Sequence, residues 1–440
     1  MLKRIKIHNY KSLMNVDFKP EPLAVIFGPN AAGKSNFLDS LQLLSRVATS
    51  RTLKDAFEPP YRGTPLESFA FDQNGIKGLL AKESASFSIE VDVELSEAVI
   101  KAVNNQIREM KSTKISSDSS EKNDGDVSKL SFVRERYLRY RIEIEILPKS
   151  GFLRVTDEYL AALNKQGEPT GKRKPFLERI KNRLRLRMEG QAHPTDYERH
   201  LDYSILSMAH YAPHHPHLVA MQRELARWFI FYFEPRERMR ASTPVKEVNH
   251  IGLMGEELAA FLNTLRAHDE PQFRAVEKSL HRIIPSITGI DVEVNNLGEV
   301  ELRLIEDGTP IPARVLSEGT LRILGLLALD GAKERPSLLG FEEPENGIHP
   351  RRISLIAELL KTRAGIGDTQ VIVTTHSPIL PDLIPDKYLY VCRKSKGQTT
   401  IDSYKATWGS LGREEDLDHA MNAEEGPMIS ERMLRGDFDA

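Results

Sequence analysis

An α/β fold built round a parallel sheet is what this 440-residue sequence predicts. Short apolar runs at Leu23 to Phe27, Leu338 to Phe341 and Val371 to Val373 lead into a glycine, two carboxylates and a histidine. Strands buried on both faces read this way. Segments of helical period follow them, and strand–helix alternation from Leu316 to Val391 is the pattern of an α/β core. Period-two stretches elsewhere predict a second, half-exposed kind of sheet.

The elements fall in this order. Leu2, Ile5 and Ile7 against Lys3, Arg4 and Lys6 predict a first strand. Leu23 to Phe27 is a buried strand, and Phe37, Leu38, Leu41 and Leu44 predict a helix from about Ser35 to Val47. Ser86 to Leu95 and Tyr140 to Leu147 alternate again. Between them Lys111 to Lys129 is so rich in Ser, Lys, Asp and Asn that a flexible loop is expected. Residues 195–285 read as helical, interrupted by a strand at Trp228 to Phe233, and Ile290 to Asn295 and Val300 to Ile305 are two further strands. The expected division is a head made of residues 1–100 and 286–440, with 101–285 as a large, mainly helical insertion.

Composition narrows the classes. Lys plus Arg number 61 and Asp plus Glu 63, a net charge of −2, so no global basic excess points to nucleic acid. The single cysteine, Cys392, excludes a disulfide framework and fits a reducing cytosol. Neither a signal-peptide pattern nor an apolar run near the ~18 residues of a membrane span is present, so a cytoplasmic protein without a membrane is expected.

Four motifs carry chemistry. Gly28-Pro29-Asn30-Ala31-Ala32-Gly33-Lys34-Ser35 matches G-x-x-x-x-G-K-S between a buried strand and a helix, the context a phosphate-binding loop requires. Its backbone N–H groups and the helix N-terminus face phosphate, Lys34 neutralises phosphate oxygens, and Ser35 is placed for Mg²⁺. Asn36 continues the loop into the helix. Leu316-Ser317-Glu318-Gly319-Thr320 precedes an apolar helix and reads equally well, by itself, as a helix N-cap. Glu342 and Glu343 end the apolar strand at Leu338, where carboxylates can face Mg²⁺ and an attacking water. His376 ends the strand at Val371.

The order of these motifs resembles the SMC/RecF branch of ABC-type ATPases. Leu316 to Thr320 is similar to that family's Leu-Ser-Gly-Gly-Gln signature, with Glu318 and Thr320 departing from it. Ile7-His8-Asn9-Tyr10-Lys11-Ser12-Leu13 resembles the branch's Asn-Phe-Lys-Ser opening. The runs Glu343 to Pro350 and Ser430 to Phe438 are similar to predicted ATPases related to OLD-family proteins, many of which serve in bacterial defence against phage. The resemblance covers about 1–100 and 285–440.

It implies an ABC-type P-loop head of mixed sheets with flanking helices, binding ATP and Mg²⁺. It implies Glu343 as the catalytic glutamate and His376 as a switch histidine at the γ-phosphate. Ser317 and Gly319 would complete a second copy's ATP site, making a homodimer or higher homo-oligomer, and Lys11 would approach the nucleotide. Glu342 would stand as the metal-binding carboxylate where an aspartate is usual, and Gln73 as the Q-loop glutamine. OLD nucleases carry a Toprim domain for which the residues after Ser377 are too few, so a separate effector, a nuclease or toxin, is expected. A nucleotide sensor with negligible hydrolysis and a RecF-like DNA repair ATPase are the alternative readings. A GTPase is disfavoured, because Asn164-Lys165-Gln166-Gly167 lacks the aspartate of a guanine-reading motif.

Two other clusters have competing explanations. Lys172, Arg173, Lys174, Arg179, Lys181, Arg183, Arg185 and Arg187 read either as a DNA or RNA contact or as a solvated helix face or docking surface. His210, His214, His215 and His217 lie in a proline-kinked stretch without a fixed ligand spacing, which favours structural histidines over a metal site.

Overall fold

The computed structural model describes residues 1–117, 132–171, 173–190, 193–333, 335–407 and 428–438. Its centre is a six-stranded sheet in the order Trp228–Phe231, Leu338–Glu342, Gln370–Thr375, Leu23–Phe27, Leu389–Ser395, Gln398–Ser403. The first five strands run parallel and the last is antiparallel. Parallel strands all end on the same edge of a sheet. Gly28, Glu343 and His376, which follow three adjacent strands, therefore emerge side by side although more than 300 residues separate the first from the others.

An eight-stranded antiparallel sheet packs over this core. Its order is Leu13–Phe18, Leu2–Tyr10, Ala85–Glu94, Tyr137–Leu147, Phe152–Ala162, Leu177–Ile180, Arg183–Leu186, Thr195–Glu198. Its buried side chains alternate along Tyr137–Leu147, where Leu138, Tyr140, Ile142, Ile144 and Ile146 point inward. The helix Lys34–Val47 lies between the two sheets. Phe37 meets Phe18 of the antiparallel sheet edge-on, with ring centroids 5.2 Å apart, and Leu38 lies against Gly340 of the parallel one. A third sheet is made of Thr243–Pro244, Glu299–Glu306, Ile287–Val294 and Thr309–Pro312. It packs with the helices Leu258–His268, Glu270–Ile283 and Glu318–Ala328 around a second apolar core.

Residues 101–285, expected to be mainly helical, hold the helices Pro216–Ala226, Leu258–His268 and Glu270–Ile283 beside several strands. Residues 137–198 supply five strands to the antiparallel sheet. The basic stretch belongs to them: Leu177–Ile180 and Arg183–Leu186 form a hairpin, with Leu184 and Leu186 buried between outward arginines. That is a period of two, so the solvated helix face is replaced by a sheet face. Three arginines of the stretch are paired: Arg185 with Asp196 at 2.7 Å, Arg173 with Glu189 at 3.0 Å, and Arg187 with Glu178. Lys172 lies outside the described residues. Trp228–Phe231, read from the sequence as an interruption among helices, is the edge strand of the central sheet itself. The loop expected from Lys111 begins instead as the end of the helix Glu97–Ser117, and residues 118–129 lie outside the described residues. Among the described residues no helix is long and apolar enough to cross a membrane.

Candidate functional site

The loop between Phe27 and Lys34 is shaped from behind. Gly33 has φ +108°, and a Cβ there would come within 2.2 Å of the Thr399 hydroxyl and 2.8 Å of the Ser12 hydroxyl. Those hydroxyls bond each other at 2.7 Å, Thr399 donates to the Ala32 carbonyl at 2.7 Å, and Asn36 donates to Ser12 at 2.8 Å. The loop is thus stapled to the turn after the strand Leu2–Tyr10 and to the strand Gln398–Ser403. Lys34 is buried, with Nζ donating to the carbonyls of Gly28 at 2.8 Å and Pro29 at 2.9 Å. Burial lowers its pKa, an effect that nearby Glu343 and Glu342 oppose. Gly28, Pro29 and Asn30 line an open cleft with His376, Pro378, Met433, Leu434 and Phe438, so the C-terminal helix Ile429–Arg435 forms one wall beside the loop. Ala31, exposed at φ +61°, turns the loop at its outer rim.

The acidic strand end lies alongside. Ser35 donates its hydroxyl hydrogen to Glu342 Oε1. Glu343 follows in a left-handed conformation, φ +48°, while its N–H donates to the Thr374 carbonyl at 2.8 Å. A non-glycine residue at positive φ is a strained conformation that the surrounding sheet must enforce. The turn aims the Glu343 carboxylate at His376, whose Nδ1 is 2.6 Å from Oε1. Below them Glu345 is buried and accepts from the Thr375 hydroxyl, while its Oε2 has no partner among the described residues. Burial raises the pKa of Glu345 against that hydrogen bond.

Two residues of this site escaped the sequence reading. Arg62 pairs with Glu342 Oε2 at 2.7 Å and with Asp39 at 2.8 Å. Lys11 takes the other oxygen of Asp39 at 2.7 Å, its ammonium lying 5.5 Å from the Tyr10 ring centre and 5.2 Å from that of Tyr61. Asp39 carried a signal: it is an aspartate on the buried face of an amphipathic helix, which needs cationic partners. Arg62 gave only its place in Pro59-Pro60-Tyr61-Arg62-Gly63. Gln73 is exposed in the turn before the helix Gly75–Ala81, and among the described residues no hydrogen bond joins it to Ser35 or Glu342.

Ser317 caps the helix Glu318–Ala328, its hydroxyl oxygen accepting from Thr320 N–H at 3.1 Å. Among the described residues no hydrogen bond joins Ser317 or Gly319 to the P-loop of their own chain. Gly319 is instead pressed against the loop after the acidic strand, where a Cβ would lie 2.3 Å from the Gly347 carbonyl oxygen. Gly319→Ala is therefore expected to destabilise the fold by about 1–3 kcal/mol, read as a lower midpoint in urea unfolding. An unchanged midpoint would mean that the Gly347 carbonyl simply moves aside.

The residues present fit a magnesium nucleotide. Among the described residues the buried Lys34 ammonium is hydrogen-bonded to two carbonyls, which phosphate oxygens would replace. Ser35 and Glu342 place a hydroxyl and a carboxylate together, the hard oxygen donors Mg²⁺ takes. The histidine cluster has another role. His217 is fully buried, with Nδ1 against Glu189 at 2.7 Å and Nε2 accepting from the N–H groups of Arg134 and Glu135. It ties a loop to the helix Pro216–Ala226, and among the described residues no group of three or more His, Cys, Asp or Glu is placed to hold a metal.

Comparison with known proteins gives three findings. The family model described as "AAA domain, putative AbiEii toxin, Type IV TA system" matches residues 23–382. Among solved structures, an Smc head bound to the C-terminal winged-helix domain of ScpA superposes with a TM-score of 0.51 at 12% identity, over 92% of this chain and 99% of that one. An Smc head with an extended coiled coil, bound to the C-terminal domain of ScpA from Pyrococcus furiosus, gives 0.50 at 10% identity, over 93% and 98%. No curated protein matches.

Proposed function

Since the chain belongs to the family of AAA domains described as putative AbiEii toxins of type IV toxin–antitoxin systems, and its fold is that of an SMC-like ABC-type head, we propose that it is an ATP-binding and ATP-hydrolysing switch. One observation carries the reading. Three adjacent parallel strands bring the P-loop lysine, the Ser35 and Glu342 pair, and the Glu343 and His376 pair to one sheet edge. Such a cluster suits phosphoryl chemistry, where catalysis is mostly positioning and charge stabilisation.

In this reading the loop N–H groups and Lys34 hold the phosphates, and Ser35 and Glu342 would hold Mg²⁺. The bound metal nucleotide supplies an electrophilic γ-phosphorus. Glu343 accepts a proton from the attacking water, and His376, on Oε1, orients that carboxylate.

Two copies close head to head, Ser317 and Gly319 of each completing the other's site, and hydrolysis reopens them. This switch acts in the cytoplasm on a separate effector, a nuclease or toxin, in defence against phage. The proposed relation to OLD-like ATPases rests on the runs Glu343 to Pro350 and Ser430 to Phe438. The two Smc heads were solved with a bound ScpA domain, which supports a protein partner for a head of this shape. Steady-state phosphate release tests the reading. Release that is absent at saturating ATP and Mg²⁺ would leave a nucleotide sensor and remove the hydrolytic switch.

A further inference from the structure

Glu342 sits beside Ser35 with both carboxylate oxygens already engaged. Oε1 accepts from the Ser35 hydroxyl, and Oε2 lies 2.7 Å from Arg62 Nη1. The guanidinium is fixed on its other side as well: Nε and Nη2 both donate to Asp39 Oδ1, at 3.1 and 2.8 Å. Its Cζ lies 5.3 Å from the Tyr232 ring centre, and the Tyr232 hydroxyl donates to the Pro60 carbonyl two residues before Arg62. Asp39 is held in turn by Lys11. The result is a row of alternating charge, Lys11, Asp39, Arg62, Glu342, running into the site. Asp39 anchors Arg62 through two donors and Glu342 receives one, so the Glu342 contact is the leg that can open while the arginine stays in place.

We propose that Arg62 is a latch on the metal-binding carboxylate: it neutralises Glu342 while the site is empty and gives it up when Mg²⁺ enters with nucleotide. A cation already seated on a carboxylate competes with any second cation for it. Arg62 therefore sets how strongly metal and nucleotide help each other to bind, a coupling that linkage makes reciprocal. Arg62 is in this sense a positioning residue. The inference rests on reading Ser35 and Glu342 as the Mg²⁺ pair.

The test compares the affinity of a fluorescent ADP analogue in Mg²⁺ and in EDTA, the ratio of the two being the coupling. Arg62→Gln should leave the affinity in EDTA near that of the wild type and raise the coupling by about fivefold, the lower end of ordinary coupling strengths. Arg62→Lys, which keeps the cation, should stay close to the wild-type ratio. An unchanged or smaller ratio in Arg62→Gln overturns the latch. So does a loss of affinity in both media, which would make Arg62 a nucleotide ligand, and so does an Arg62→Lys ratio equal to that of Arg62→Gln. A wild-type protein that binds the analogue equally in Mg²⁺ and EDTA would instead sink the assignment of Ser35 and Glu342 to the metal.

Discussion

Lys34→Ala is expected to lose nucleotide binding by a factor of about 10²–10⁴, taking two charge-assisted hydrogen bonds to phosphate at about 1.5–3 kcal/mol each. The ammonium is buried at the head of the helix Lys34–Val47 and, among the described residues, donates to the Gly28 and Pro29 carbonyls. Neutral carbonyls are weaker partners for an ammonium than phosphate oxygens. Burial lowers the lysine's pKa, and incoming phosphate charge acts in the opposite direction. Alanine removes the charge but leaves the stapling of the loop by Ser12, Asn36 and Thr399 untouched, so the fold should survive. Calorimetric titration with ATP and Mg²⁺ measures the effect. A dissociation constant near the wild-type value would remove Gly28 to Ser35 as the phosphate site.

Glu343→Gln is expected to slow hydrolysis by about 10²–10⁴, the usual contribution of a positioned general base, while binding stays intact. The amide cannot take the proton from water. Its neighbours Glu342 and Ser35 are unaltered, so the proposed metal pair remains. If two heads close on nucleotide as proposed, this variant should accumulate closed pairs with ATP, seen by cross-linking across the interface. Ser317→Arg should block closure and leave binding at Lys34 in place. Because the Ser317 hydroxyl caps its helix, the arginine also removes a cap at a cost of about 1 kcal/mol. Ser317→Asp keeps a cap and still repels phosphate, so both variants should fail to close. Hydrolysis at the wild-type rate by Glu343→Gln would refute its catalytic role, and unimpaired closure by both Ser317 variants would refute the shared site.

The local pattern alone determined the parts that depend on short-range physics. The P-loop, the helix after it and the buried strands at Leu23, Leu338 and Val371 were legible because apolar runs, a Gly-Lys-Ser turn and a helical period are each written in consecutive residues. So were the residues at the strand ends, since the end of a buried strand is a fixed place on a sheet. Residues 137–198 were harder: a charged hairpin and a solvated helix face both put arginines outward, and only pairing with the neighbouring strands separates them. Pairing partners also decided that Trp228–Phe231 belongs to the central sheet, because nothing in four apolar residues says which strand lies beside them. The same holds for Arg62. Its guanidinium matters through Asp39, 23 positions away, and Glu342, 280 positions away. Charge interactions act through space, and the distances that decide them exist only once the chain has folded.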